Sequence, residues 1–431
     1  MLGMSTLTDW FHANAHTLDT LDPDAPLDEL EPVREIIGDA AVVALGEGAH
    51  FVTEFDTARI RLLRFLVERC GFTMLAAEYG FATGFAADAW AHGEGEPDDL
   101  TAIGGQLATW VNGGSLRWLR EYNAHAEQAI EFAGVDLPTS SALRTVLEPV
   151  EAYLGQADPE SLPRLRTALA FADRIGGGSA VSATTGWGRL PETEQDALTA
   201  TLSRLLLRFR ALEPRSIERT GQAAYDLAAR HLEAACALDY TYSAMHGVLT
   251  GNPMPGTPLS GDTGVRDRYM AESVLWHLDR HLDHAGPDAR ILLLAHNFHI
   301  QKTPVLHEGF FSALPMGQFL ADALGDEYRA IALTHTGDSV PEMTLGEGGD
   351  SGEDSGEIGF SAAPTEIGAP AEGTLEAELC TAGLGAAITL TDLRGLPEPI
   401  GKLRAQSAVT EAPLPEAFDA VLSTPGASLN G

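Results

Sequence analysis

The chain has 431 residues, room for two or three ordinary domains, and 44% of them are hydrophobic, enough for a sizeable core. Twenty-seven basic against 62 acidic residues leave a formal charge of −35, which excludes the basic footprint of a nucleic-acid binder and makes an anionic membrane surface a poor partner. Three widely separated cysteines, Cys70, Cys236 and Cys380, give neither a disulfide framework nor a zinc knuckle. No apolar run is long enough to span a bilayer and the N-terminus lacks the pattern of a signal peptide, so a cytoplasmic location is expected.

In chain order, residues 5–37 read as two helices joined by the turn-like segment at 22–26. The apolar run 41–45 is a buried strand stopping at Gly46, followed by a helix over 53–70 and a second strand, 72–77, stopping at Glu78. A helix over 117–130 leads to a strand, 132–135, stopping at Asp136. This β-α-β rhythm predicts an α/β fold with a mainly parallel central sheet flanked by helices. From 140 to 250 the strand signal vanishes and helical periodicity takes over, broken by the glycines at 176–178. This region is read as an inserted all-helical subdomain, with 1–139 and 251–431 forming the α/β core. A Gly/Pro-rich loop at 250–264 is followed by a helix near 265–284, a strand at 290–296, a helix at 316–324 and a strand at 328–334. Residues 344–374, rich in Gly, Ser, Glu and Asp, are expected to form a flexible acidic loop. A final strand is placed at 418–423.

Ligands of open parallel sheets bind outside the carboxyl ends of the strands. Four apolar runs here end in polar residues: Glu47 and His50, Glu78, Asp136, and His296 with His299. One such residue can simply cap the next helix, but the set would place carboxylates and imidazoles on one edge, an acid–base centre. On the helix after His50, Arg59 falls within the apolar stripe of Phe55, Leu62 and Leu66, whereas Arg61 and Arg64 do not. A core-facing Arg requires an anionic partner, with Glu47 and Glu78 as candidates. His277, His281 and His284 share one helix face and are read as a solvated face. Cys70 and Cys236 are read as buried and inert. No GxSxG elbow, phosphate loop, GxGxxG turn or HExxH motif is present.

Residues 45–81 are similar to the opening signature of the erythromycin esterase family, carried here by Gly46, Glu47, His50, Glu54, Arg59, Gly71, Phe72 and Glu78. The segments 116–123, 266–278 and 295–302, the strand ending at Asp136, MGQFL and YRAIALTHTGD resemble further parts of the family pattern. The resemblance implies a mixed α/β core with a helical subdomain over the cleft and an enzyme that opens a macrolactone by ester hydrolysis. By motif position it implies His50 as the general base, Glu47 and Glu78 as orienting groups, and Arg59, His296 and His299 completing the catalytic set. Asp136 and Arg266 are expected at the substrate. Either Arg59 or a protonated His296 or His299 could stabilise or protonate. Metal-free hydrolysis is the reading adopted: no cofactor, no metal, and a small-molecule natural product as the partner. The alternative is a biosynthetic enzyme using the same Glu/His/Arg site for a different hydrolysis, cyclisation or elimination. Phe51 stands where the family commonly has a small residue, and the helical region matches little of the pattern.

Overall fold

A computed structural model describes residues 4–138, 140, 142–251, 264–286, 288–307, 310–346 and 359–430. An eight-stranded sheet runs in the order Ala15–Leu18, Ile388–Asp392, Ala420–Thr424, Tyr328–His335, Val42–Leu45, Ile291–Leu294, Met74–Gly80, Glu131–Asp136. The last six strands pair in parallel, and the first two close one edge antiparallel. Alternate residues of the central strands face two separate cores. Val43, Leu45, Leu75, Leu292, Leu294, Ile331 and Leu333 lie in one, and Val42, Ala44, Met74, Ile291, Leu293 and Ala330 in the other. Burial on both faces is why these strands read as unbroken apolar runs.

The connection after Met74–Gly80 leads outward to Glu131–Asp136, whereas the one after Ile291–Leu294 leads to the opposite side of Val42–Leu45. The chain therefore changes direction around Val42–Leu45 and Ile291–Leu294, and it is at the carboxyl ends of such strands that open α/β sheets place their crevice. Six helices, from Leu143–Ala157 to Gln222–Leu249, build a third core that docks on the sheet through Phe81, Leu137 and Tyr269. Trp187 and Tyr225 are buried inside it. The break expected at the 176–178 glycines separates helices Leu162–Ile175 and Ala180–Gly188.

Several expectations are corrected. Residues 15–18 are an edge strand rather than helix, because they pair with Ile388–Asp392. The helix placed at 117–130 is the later part of the helical stretch Leu100–Asn123, which kinks at Gly105 (φ 83°, ψ 166°). Its glycines disguised it, yet Gly114 is where it crosses helix Thr53–Cys70: a Cβ there would meet Asp56 Oδ2 at 3.1 Å and Ile60 Cδ1 at 3.2 Å. The acidic segment is not a loop throughout, since Ser339–Gly346 and Gly359–Glu366 form an antiparallel ribbon. Its residues 347–358, and 252–263 of the Gly/Pro-rich loop, lie outside the described residues. A four-stranded antiparallel sheet of Ile400–Ala405, Ala408–Leu414, Val305–His307 and Phe310–Ala313 was not foreseen.

His277 and His281 are buried, not solvated. They bond Gly134 O and Thr73 Oγ1, and burial pushes His277 down to about 4. Arg61 is also buried, beneath the N-terminal segment, where it meets Thr20 O, Pro26 O and Glu29. Cys70 and Cys236 are only partly buried, and desolvation still pushes both thiols up, Cys236 to about 12. Among the described residues no helix is long and apolar enough to cross a membrane.

Candidate active site

The turn after Val42–Leu45 builds one side of the crevice. Gly46 has no room for a side chain: a Cβ would lie 1.8 Å from Asn297 Oδ1. Asn297 fastens three strand ends together, donating its backbone N–H to Glu47 O at 2.9 Å and its Nδ2 to Leu333 O at 2.8 Å. Glu47 is thereby fixed at the sheet edge. Its Oε1 lies 2.7 Å from His50 Nδ1 and its Oε2 3.0 Å from Arg59. Burial alone would raise this carboxyl, but Arg59 and His50 hold it below the ordinary carboxylate range.

Arg59 is engaged at all three of its nitrogens. Besides Glu47 it donates Nε to Gly46 O at 3.0 Å and NH2 to Ala295 O at 2.7 Å, with Leu45 O at 3.4 Å. The expectation of a core-facing arginine paired to Glu47 holds. All three nitrogens of Arg59 are bonded within the protein, so its work here is to hold Glu47 and the strand ends.

His50 is 30% exposed at its side chain against 6% for Glu47. The imidazole thus reaches the crevice while its carboxylate does not. Burial lowers the His50 pKa, but Glu47 overcomes this and raises it above 6.5. Because the ionised Glu47 can only accept, Nδ1 carries the proton in the neutral ring and Nε2 is left with its lone pair toward the crevice. His296 stands opposite, its ring centroid 5.0 Å from that of His50. Its Nδ1 accepts from Phe298 N–H at 3.2 Å, so Nε2 bears the hydrogen, and that buried nitrogen has no protein partner. Burial, reinforced by His50, drives His296 down to about 3 and keeps it neutral.

The other side of the crevice is a carboxylate cage around His299. Its Nδ1 is 2.7 Å from Asp267 Oδ1 and its Nε2 is 3.5 Å from Glu78 Oε1. Arg266 grips Asp136 with Nε (2.9 Å) and NH2 (2.5 Å) and reaches Glu78 with NH2 at 2.7 Å. Arg266 NH1 also approaches His299 Nε2 at 3.3 Å, which on geometry alone would suit a neutral ring. Charge decides otherwise: three carboxylates (Glu78, Asp136, Asp267) face one guanidinium, a balance of −2 around the imidazole. Burial lowers His299, but Asp267 and Glu78 raise it to about 9, and its Nε2–H faces Glu78. Glu78 in turn accepts from His296 N–H at 3.1 Å and stays ionised, because His299 and Arg266 outweigh its burial.

The structure thus brings together Glu47, His50, Arg59, Glu78, Asp136, Arg266, His296 and His299, all singled out in the sequence. Asp267 was missed, although it follows Arg266 directly; Asn297, between the two histidines, was missed as well. Among the described residues no group of three or more His, Cys, Asp or Glu side chains is arranged to hold a metal ion. Chemically, the site holds a carboxylate-backed imidazole base and an imidazolium acid, with a neutral imidazole N–H buried beside the base.

The chain is similar to known proteins over most of its length. The family model described as erythromycin esterase matches residues 67–425. The chain is 35% identical over 421 residues to an Escherichia coli erythromycin esterase type II, covering 95% of this chain and 94% of that one. It is 34% identical over 396 residues to an Escherichia coli erythromycin esterase type I, covering 91% and 92%. An erythromycin esterase mutant, EreC in its open conformation, superposes with a TM-score of 0.87 at 32% identity, covering 97% of this chain and 98% of that one.

Proposed function

Because the chain belongs to the erythromycin esterase family, we propose that it hydrolyses the ester of a macrolactone or related natural product by histidine-activated water. The observation that carries this reading is the Glu47–His50 contact of 2.7 Å, which leaves Nε2 of a partly exposed imidazole directed into the crevice. Neutral His50 takes a proton from water as the oxygen attacks the ester carbonyl, and Glu47 stabilises the imidazolium that forms. The Nε2–H of His296, which has no protein partner, serves the developing oxyanion once substrate binding uncovers it, since it is buried in this structure. Protonated His299 supplies the proton to the departing alkoxide, which then leaves as the alcohol. No covalent nucleophile enters the sequence.

In this reading Arg59 is a positioning residue for Glu47. Arg266 and Asp136, expected at the substrate, hold Glu78 and His299 in place and border the substrate instead of supplying its main contacts. The helical region over 140–250, taken as an inserted subdomain, would cover the crevice from above. Mass spectrometry of a macrolide panel incubated with the protein tests the proposal. The expected result is a gain of one water on a macrolactone, absent with His50→Ala, whose turnover should fall by about 10²–10⁴ while folding is retained. Full activity of His50→Ala would remove His50 as the base.

A further inference from the structure

We propose that Gln406, at the tip of a hairpin in the small antiparallel sheet, is a positioning residue for the catalytic base, clamping the backbone of the loop that carries His50. The proposal rests on the reading of His50 as base. Strands Ile400–Ala405 and Ala408–Leu414 pair Ala405 with Ala408, so Gln406 and Ser407 form a two-residue turn. Gln406 has φ 51°, and a turn of this kind with positive φ at its first central residue ordinarily carries glycine there. A glutamine kept in that conformation stores strain, which persists where the residue does something else.

Here it makes two bonds to one loop. Its backbone N–H donates to Gly48 O at 2.6 Å, and its Oε1 accepts from the His50 backbone N–H at 2.7 Å. The side-chain oxygen rather than the amide nitrogen must face His50, because an N–H can meet only an acceptor. The turn is anchored in its own right, as Ser407 N–H donates to Glu342 Oε1 at 2.6 Å.

The loop needs such a clamp. Phe51, the other non-glycine residue with left-handed backbone among the described residues, has φ 64° directly after His50. Its carbonyl is held from the other side by Asn430 N–H at 2.8 Å, and Thr53 N–H donates to Ser428 O at 2.9 Å. The loop thus lies between the Gln406 turn and the C-terminal segment. Glu47 fixes the His50 ring at Nδ1, while Gln406 fixes its backbone, and together they leave Nε2 one place to point.

The test compares Gln406→Gly, Gln406→Asn and Gln406→Glu with the unmodified chain and with His50→Ala, on a macrolactone the unmodified chain hydrolyses. Glycine accepts the turn conformation and removes the acceptor. Asparagine tolerates positive φ but is too short to reach His50. Glutamate keeps an acceptor oxygen. Gln406→Gly and Gln406→Asn are expected to lose about 10- to 100-fold in kcat with KM within about twofold, since small misplacement of a reacting group costs rate rather than binding. Tm should be unchanged or higher for Gln406→Gly, and Gln406→Glu should recover most of kcat. ¹⁵N-histidine spectra report the same point without substrate: His50, identified by its absence in His50→Ala, should lose its single Nδ1–H tautomer in Gln406→Gly and keep it in Gln406→Glu. The proposal is overturned if Gln406→Gly keeps kcat within twofold, or if its loss comes with a fall in Tm that Gln406→Glu does not reverse. A fully active His50→Ala would instead overturn the assignment of the base.

Discussion

Replacing Asp267 by Asn tests whether His299 is held as an imidazolium by its carboxylate cage. The substitution keeps the size of the side chain and an Oδ1 that can still accept from Met316 N–H, now at 3.0 Å, but removes the charge 2.7 Å from His299 Nδ1. The interval from the ordinary 6.5 to about 9 corresponds to about 3 kcal/mol of preference for the protonated ring, at ~1.4 kcal/mol per pH unit. Asp267 is the foremost of the groups that raise His299, ahead of Glu78, so the larger part of that preference should leave with it and His299 should titrate well below about 9. A folded-state pKa above the unfolded value contributes stability that is fully present below pH 6.5 and is lost as pH rises through about 9. Asp267→Asn should therefore be less stable than the parent by roughly 2 kcal/mol at pH 6 and nearly equal to it above pH 10. In the kcat–pH profile the alkaline limb, set by loss of the proton His299 must donate, should move down by more than one pH unit. Urea melts at both pH values and the pH–rate profile of the two proteins decide the matter. An alkaline limb that does not move, with a stability difference independent of pH, would refute a protonated His299 as the acid.

Arg59→Lys should cost about 3–5 kcal/mol and most of the activity, because one ammonium cannot reach Glu47 and three carbonyls together and Glu47 would be left buried without its partner; equilibrium denaturation measures the loss, and a change below 1 kcal/mol would contradict the structural role given to Arg59. Acid stability should fall steadily below pH 6.5, since burial depresses His231, His277 and His335 to about 4 and His296 to about 3, so the unfolded chain binds protons that the folded chain refuses. Asp56, raised to about 6 by burial, opposes this, as do Asp88, Asp239 and Glu376, which burial also raises. Circular dichroism across pH 7 to 3 should show unfolding well under way by pH 4, and a protein of constant stability over that range would contradict the burial of these histidines.

Much of the site was legible because of how a parallel sheet is built. Its strands are buried on both faces, so they read as apolar runs, and the polar residues that end them fall on one edge. Glu47, Glu78, Asp136 and His296 are all readable in this way, and Arg59 betrays itself by sitting on an apolar stripe. Helix Thr53–Cys70 was read at its true bounds, closed by Gly71 in the left-handed conformation. The antiparallel elements escaped because they alternate weakly, and the longer ones, Ser339–Gly346, Gly359–Glu366, Ile400–Ala405 and Ala408–Leu414, each carry Pro or Gly. They are strands only by virtue of partners far away in the chain, such as Ala15–Leu18 against Ile388–Asp392.

Local patterning by itself therefore determined the α/β class, the helical stretch across the middle and most of the groups that face the crevice, since these depend on hydrophobic period and on which residues follow a buried strand. Only the tertiary structure decided their charge states and division of labour. His50, His296 and His299 are the same residue type. One is raised by Glu47, one is held neutral by burial, and one is kept charged by Asp267 and Glu78. A pKa answers to the few ångströms around a ring, and those neighbours come from strand ends and helices far apart in the chain, as Glu78 and Asp267 do for His299.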